Sequence, residues 1–277
     1  MFAEERREQI LLYLKKHKRA EVKELIEEFQ VTGATLRADL RAMEEEGSIV
    51  RTHGGALLKE DVLQKEDFLS LRRGHEEEKK AIARIARAYV KEGDAVILDS
   101  GSTTLELALL LKDAKNIKVI TNDLQIALEL QENPWIELYI VGGKVRNNFR
   151  LTQGAIGTDF LKSIAVNKVF LSPNALSVFE GATTSNEEMK ELKRAMMKAA
   201  GEIYMLCDSS KIGQRAFCKF ARLSEFKLML TDSGISKLDK TAIEEQGLCL
   251  LYTSFKKNVN CYRKCTGFCQ CIFCAER

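Results

Sequence analysis

No apolar run in the 277 residues approaches the roughly 20 needed to cross a bilayer, so no membrane span is expected. The opening stretch, MFAEERREQ, lacks the apolar core of a signal peptide. Export is therefore not expected, and the expected location is the cytoplasm, where the eight cysteines would be reduced thiols. Neither sign of charge dominates, with 43 Lys and Arg against 40 Asp and Glu and a net charge of +3. That balance neither demands nor excludes a polyanionic partner, because local clustering decides. The Gly-x-x-x-x-Gly-Lys-Ser/Thr spacing is absent, and no Gly-x-Gly-x-x-Gly turn follows a strand pattern. ATP and NAD are thus poor candidates, and no cofactor is expected. Internal repeats and low-complexity stretches are also missing.

The composition, 45% hydrophobic and 30% charged, is that of a globular chain able to bury a core, and the length suggests two domains. Along residues 1–58 the apolar spacing predicts three short helices. The first carries Ile10, Leu11 and Leu14, the second Val22, Leu25, Ile26 and Phe29. A tight turn at Gln30-Val31-Thr32 leads to the third, with Thr32 as N-cap and Leu36, Leu40 and Met43 inside. The alternating stretch from Ser48 to Ala56 then predicts a small hairpin or wing. Such an order fits an all-α winged helix-turn-helix whose third helix enters the major groove. Candidate DNA contacts are Lys23, Thr32, Thr35, Arg37, Ala38, Arg41, Arg51 and His53. Arginine pairs with guanine or phosphate, and threonine with phosphate or a thymine methyl. The alternative is a plain three-helix bundle. Residues 59–78 are charge-rich and are expected to be a solvated linker.

Residues 79–253 alternate amphipathic helices with short apolar strands such as Ala95-Val96-Ile97-Leu98 and Ile117-Lys118-Val119-Ile120. The pattern predicts an α/β domain with a mainly parallel sheet. Ligands of such sheets bind beyond the carboxyl ends of the strands. Those ends are polar: Asp99-Ser100-Gly101-Ser102-Thr103-Thr104, then Asn122-Asp123, Gly142-Gly143 with Arg146, and Asp208 with Lys211. Small residues expose backbone N–H groups, hydroxyls donate, and a helix start near Thr104 adds its positive dipole end. Together these are the candidate site for a phosphorylated polyol, with Asp99, Asn122 and Asp208 suited to sugar hydroxyls. Singly, each turn would be an ordinary strand-to-helix loop.

Both halves resemble the DeoR family of bacterial transcription regulators. The residues that carry the likeness are Glu5-Arg6-Arg7, the run from Thr32 to Leu40, and Arg51-Thr52-His53-Gly54-Gly55-Ala56. In the second half they are the run from Asp99 to Thr104, Thr121-Asn122-Asp123, Gly142-Gly143, Glu180-Gly181 and Thr183-Thr184. They continue through Asn186-Glu187-Glu188, Glu191-Leu192-Lys193-Arg194, Asp208-Ser209-Ser210-Lys211, Gly213 and Thr231-Asp232. The resemblance implies a sensor domain similar to the ribose-5-phosphate isomerase and glucosamine-6-phosphate deaminase fold. It implies a repressor of a carbohydrate-metabolism operon, relieved by a phosphorylated sugar effector and binding double-stranded operator DNA as a homo-oligomer, dimer or tetramer. Two positions depart from the family pattern. Ala38 stands where a second arginine is usual, which bears on the operator sequence. Ser172-Pro173-Asn174-Ala175 replaces a glycine-flanked loop, which bears on the effector.

Two rival readings concern the second half and the tail. Asp99, Asp123 and Asp208 beside Lys211 would also suit an isomerase or deaminase with a fused DNA-binding head, but a sensor without enzyme activity is expected. The tail, residues 254–277, holds Cys261, Cys265, Cys269, Cys271 and Cys274. Thiols so close can bind zinc, yet paired C-x2-C knuckles are missing. A disordered extension without metal is expected there.

Overall fold

A tight turn joins two helices that share one small core. In the computed structural model, which describes residues 3–17, 19–46, 48–52, 55–58 and 74–252, α2 spans Val22–Phe29 and α3 spans Gly33–Glu45. The turn works because Gln30 adopts a left-handed conformation that ends α2. Thr32 then caps α3, its hydroxyl accepting from the Thr35 N–H at 3.2 Å. Glu24 reaches back to the Glu21 N–H at 2.8 Å, which fixes the start of α2. The supporting helix α1, Ala3–His17, closes the core with Ile10 and Leu14 against Leu25, Leu36, Leu40 and Met43. An ion-pair cluster adds to it. Asp39 of α3 is buried and accepts from Arg6 at 2.6 Å and Arg7 at 3.3 Å, both on α1.

The wing has three strands rather than the expected two. β1, Arg19–Glu21, pairs with β3, Gly55–Leu58, which pairs in turn with β2, Ile49–Thr52. A three-residue strand next to a basic cluster leaves no alternating signature to read. The close pairing explains Gly55, since a Cβ there would stand 2.4 Å from the Ala20 carbonyl oxygen.

The second unit is built on a seven-stranded sheet. Strand β4, Ala95–Leu98, lies between β5, Ile117–Thr121, and the central strand β9, Val166–Leu171. Beyond β5 comes β6, Ile136–Ile140; beyond β9 come β12, Ala200–Leu206, β14, Leu228–Thr231, and β15, Leu250–Tyr252. Every pairing in this sheet is parallel. Helices cover both faces, as a parallel sheet requires. Val96 and Leu98 join one core with α4, Glu76–Arg87, α5, Ser102–Leu109, and α6, Leu124–Leu130. Ile97 points the other way, into a core with α7, Ala155–Lys162, α8, Glu187–Ala199, and α9, Lys237–Glu245.

Several elements had no counterpart in the sequence reading. A hairpin, β7 Lys144–Arg146 with β8 Leu151–Gln153, follows β6. A second small antiparallel sheet joins β10, Ala175–Ser177, to β11, Gly181–Thr184, and β13, Cys218–Ala221. Helix α4 begins at Glu76, inside the stretch read as linker. Its three glutamates in the first turn suit a helix N-terminus. The chain divides into compact units Met1–Asp67 and Phe68–Arg277. His53, the stretch 59–73 and the cysteine-rich tail lie outside the described residues. Cys207 and Cys218 are buried free thiols, whereas Cys249 is disulfide-bonded, so the expectation of reduced thiols does not hold at that position.

Candidate functional site

On the first unit, α3 presents Arg37, Ala38 and Arg41 to solvent, while Leu36, Asp39 and Leu40 face inward. Lys23 is exposed on α2. Thr32 and Thr35 are occupied in part with one another, their hydroxyls 2.9 Å apart at the cap. Arg51 is carried by the wing strand β2.

On the second unit, the carboxyl ends of β4, β5, β9 and β12 bring their polar residues to one edge. Asp99 ends β4 and is fully buried. Its Oδ2 accepts the Ser172 N–H at 3.0 Å and pairs with the ammonium of Lys193. Lys193 also donates to the Ser172 carbonyl at 2.9 Å. Lys211 closes the circle by donating to Ser172 Oγ at 3.3 Å and to the Pro173 carbonyl at 3.1 Å, with Asp208 Oδ2 at 3.8 Å. On the other side, Asn122 accepts from the Ser100 N–H at 3.0 Å and donates to the Thr152 carbonyl at 3.0 Å. Helix α5 starts at Ser102, directly after Asp99, Ser100 and Gly101, with Thr103 and Thr104 of its first turn buried.

Three polar atoms here are buried without a hydrogen-bond partner: Asp99 Oδ1, Thr103 Oγ1 and Asp208 Oδ2. Buried polar atoms are normally satisfied, so these three are exceptions. The donor set suits a phosphorylated polyol: lysine and a helix N-terminus for the anion, carboxylates and an amide for hydroxyls. Among the described residues no cluster of three or more His, Cys, Asp and Glu is arranged to hold a metal. A cavity of about 430 Å³ lies elsewhere, lined by Lys112, Asp113, Glu129 and Trp135 among others, and includes none of these groups.

The remaining candidates sit at the margin. Gly142 and Gly143 follow β6, and Gly143 has φ of +135° with the Gln153 carbonyl 2.5 Å from where a Cβ would lie. Arg146, on β7, donates to Ser185 Oγ at 2.9 Å and stacks on Phe149 at 3.7 Å. Asp123 is a helix cap: its Oδ1 accepts from the N–H groups of Gln125 and Ile126 at 2.8 and 3.1 Å. The sequence reading did not place Lys193 in the site. Its signal was present, because Lys193 interrupts the buried stripe Met189, Leu192, Met196 of an amphipathic helix. A lysine on such a stripe needs an anionic partner.

Burial pushes the Asp123 carboxyl up to about 6, against the N–H groups of Ile126, Gln125 and Gly101 that favour its charged form. An unfolded aspartate releases its proton near 3.9. Between those values the folded chain holds the extra proton, so stability falls as pH rises through about 4 to 6 and then levels off. At about 1.36 kcal/mol per pH unit the change is at most about 3 kcal/mol. Urea denaturation of the wild type and of Asp123→Asn, which cannot titrate, is expected to show the wild type losing ground over that window. A constant difference between the two above pH 4.5 would show that Asp123 titrates normally.

Residues 6–62 match the family described as a DeoR-like helix-turn-helix domain, and residues 74–233 match the DeoR C terminal sensor domain. The chain is 33% identical over 253 residues to the HTH-type transcriptional repressor GlcR of Bacillus subtilis, covering 91% of this chain and 97% of that protein. It is 33% identical over 248 residues to the HTH-type transcriptional regulator GolR of Listeria innocua, covering 90% and 98%. These relatives are named as regulators, not as enzymes. Ribose 5-phosphate isomerase A of Methanocaldococcus jannaschii aligns with a TM-score of 0.38 at 16% identity, over 50% of this chain and 55% of that one. Among the described residues no helix is long and apolar enough to cross a membrane.

Proposed function

The chain belongs to the DeoR family of transcriptional regulators, and from that premise we propose that it represses a carbohydrate-metabolism operon until a phosphorylated sugar fills the ring around Asp99 and Lys211. The helix-turn-helix unit binds double-stranded operator DNA, with Arg37, Ala38 and Arg41 of α3 at the base edges. Lys23, Thr32, Thr35, Arg51 and His53 complete the contact set toward the backbone. In the sensor unit the phosphate lies on Ser102, Thr103 and Thr104 and on Lys211. The sugar hydroxyls meet Asp99, Ser100, Asn122 and Asp208. Gly101, Asp123, Gly142, Gly143 and Arg146 shape the rim. The working form is a homo-oligomer, a dimer or tetramer, because helix-turn-helix proteins commonly pair across two half-sites. It acts in the cytoplasm, where both operator and effector are found.

The observation that carries this reading is the convergence of buried polar atoms that lack a hydrogen bond with a lysine and a helix start at one sheet edge. A thermal-shift screen of the full chain against pentose and hexose phosphates tests it. Some phosphorylated sugars should raise the melting temperature, and their unphosphorylated forms should do little. A panel without any shift would remove the effector from the reading.

The DNA half has its own test. Arg37→Ala is expected to cost about 1–3 kcal/mol of operator affinity and to relax specificity at one base pair, if the guanidinium reads a base. If it meets only phosphate, binding weakens evenly across sequences and the salt slope falls by about one. Fluorescence anisotropy against an operator and its single-base variants separates the two, and unchanged affinity takes Arg37 out of the interface.

A further inference from the structure

Gln153 is a buried amide with one end unused. It closes β8 and is 4% exposed. Its Nε2 donates to the carboxylate of Glu188, in the first turn of α8. That contact fixes the amide, because an ionised carboxylate only accepts. The other end, Oε1, is therefore an acceptor, and it is buried without a hydrogen-bond partner. Buried amides are normally satisfied at both ends. Glu188 itself is exposed, so the pair stands where the interior meets solvent. Lys144 Nζ lies 3.9 Å from the same carboxylate, a loose pair on the outer side.

Direct contacts tie Gln153 to the strand-end ring. The carbonyl of the Thr152–Gln153 peptide accepts from Asn122 Nδ2 at 3.0 Å, and Asn122 Oδ1 accepts the Ser100 N–H at 3.0 Å. The Gln153 carbonyl also lies so close to Gly143 that a Cβ there would stand 2.5 Å from it. Helix α8 joins the two places again: Glu188 meets Gln153, and Lys193, five residues further, meets Asp99. Five residues of helix rise about 7.5 Å. The sheet order β12, β9, β4, β5 then sets two flanks. Lys211 follows β12 on one flank, the turn from Asp99 to Thr104 follows β4, and Asn122 with Gln153 beside it follows β5 on the other. Neighbouring strands are about 4.8 Å apart, so the second flank is within reach of a sugar whose phosphate lies after β4.

We infer that Gln153 and Glu188 receive a hydroxyl group of the effector and so decide which end of it lies on which flank. An amide oxygen and a carboxylate both accept, so their guest must donate. A phosphate has acceptors and negative charge, and Glu188 turns it away. A sugar hydroxyl donates to Gln153 Oε1 and gives that buried atom the partner it lacks. The charged end of the effector therefore goes to Lys211 and the hydroxyl end to Gln153. This inference rests on the effector site proposed above and adds the chemistry of its second end.

Isothermal titration calorimetry on the full chain tests it, with inorganic phosphate, ribose 5-phosphate and glucose 6-phosphate as probes. The wild type is expected to bind at least one sugar phosphate more tightly than inorganic phosphate. Gln153→Met keeps the length of the side chain and loses the acceptor. In it the ratio of sugar-phosphate to inorganic-phosphate affinity should fall roughly three- to tenfold, the worth of one neutral hydrogen bond. Glu188→Ala should lower the same ratio, and as a surface substitution it spares the fold. It decides the matter if Gln153→Met does not fold. A ratio that stays as in the wild type, in Gln153→Met or in Glu188→Ala where the first does not fold, overturns the hydroxyl contact and leaves the effector site standing. So does a wild type that binds inorganic phosphate as tightly as both sugar phosphates. No binding of any probe to the wild type overturns the effector site and this inference together.

Discussion

Replacing Lys193 by methionine is expected to cost the sensor unit about 3–5 kcal/mol at pH 7. The reason is the company it leaves behind. Asp99 is fully buried, and Lys193, at 1% exposure, is the cation paired with it. Methionine fills the volume but carries no charge, so a carboxylate would remain in the interior with the Ser172 N–H as its hydrogen-bond donor. Breaking one half of a buried pair is costly for that reason, whatever the pair itself contributes. For a unit of this size each kcal/mol moves the melting temperature by about 2–4 °C, so a fall of roughly 6–20 °C is expected. One further measurement separates this from a general packing defect. The double variant Asp99→Asn with Lys193→Met should recover part of the stability, since no lone charge remains. No recovery in the double variant would show that Lys193 matters only as bulk.

The partner of Lys193 marks where the sequence stopped being legible. Strand period, helix period and polar strand ends were enough to place β4, β5, β9 and β12, and the candidate residues at their ends converge. Those signals are local, and each element carries its own. The pair Asp99 and Lys193 is 94 residues apart in sequence, and no local pattern announces it. The same holds for Asp39, whose partners Arg6 and Arg7 lie on another helix. The missed elements share a different cause. β7, β8 and β10 have three residues each, too few to alternate. Helix α7 carries Gly157 at its third residue, which weakens a propensity-based reading. That glycine is required by tertiary contact, since a Cβ there would stand 2.7 Å from the Gly142 carbonyl oxygen. Long-range packing chose the residue against its local preference.

The unusual loop Ser172-Pro173-Asn174-Ala175 shows how a departure from a family pattern is absorbed. Ser172 supplies an N–H to Asp99, a carbonyl to Lys193 and a hydroxyl to Lys211. Proline at 173 has no N–H to give, but its carbonyl is used by Lys211. Ala175 opens β10 without positive φ, so no glycine is needed there. The loop thus helps to aim Lys211, and effector selectivity should depend on it.

Lys211→Ala is accordingly expected to abolish the response to a phosphorylated sugar. With ligand at 1,000 times its dissociation constant, the wild type gains about 4.1 kcal/mol of stability. In melting temperature that is roughly 8–16 °C for a unit of this size. Lys211 supplies full positive charge to the proposed anion position, and its side chain is 16% exposed, held among Ser172, Pro173 and Asp208. Without it, the phosphate meets hydroxyls and a helix start beside the carboxylates of Asp99 and Asp208. The variant also loses its own bonds to the loop, so its unliganded melting temperature falls somewhat. The quantity to compare is therefore the ligand-dependent shift in each protein, not the absolute value. Coupling is reciprocal in free energy, so wild-type affinity for operator DNA should change with effector by the same factor as effector affinity changes with DNA. In Lys211→Ala both factors should approach one while operator binding without effector persists. A variant that keeps the full shift would move the phosphate away from Lys211. One that loses the shift but still releases DNA on adding the sugar phosphate would separate sensing from this site altogether.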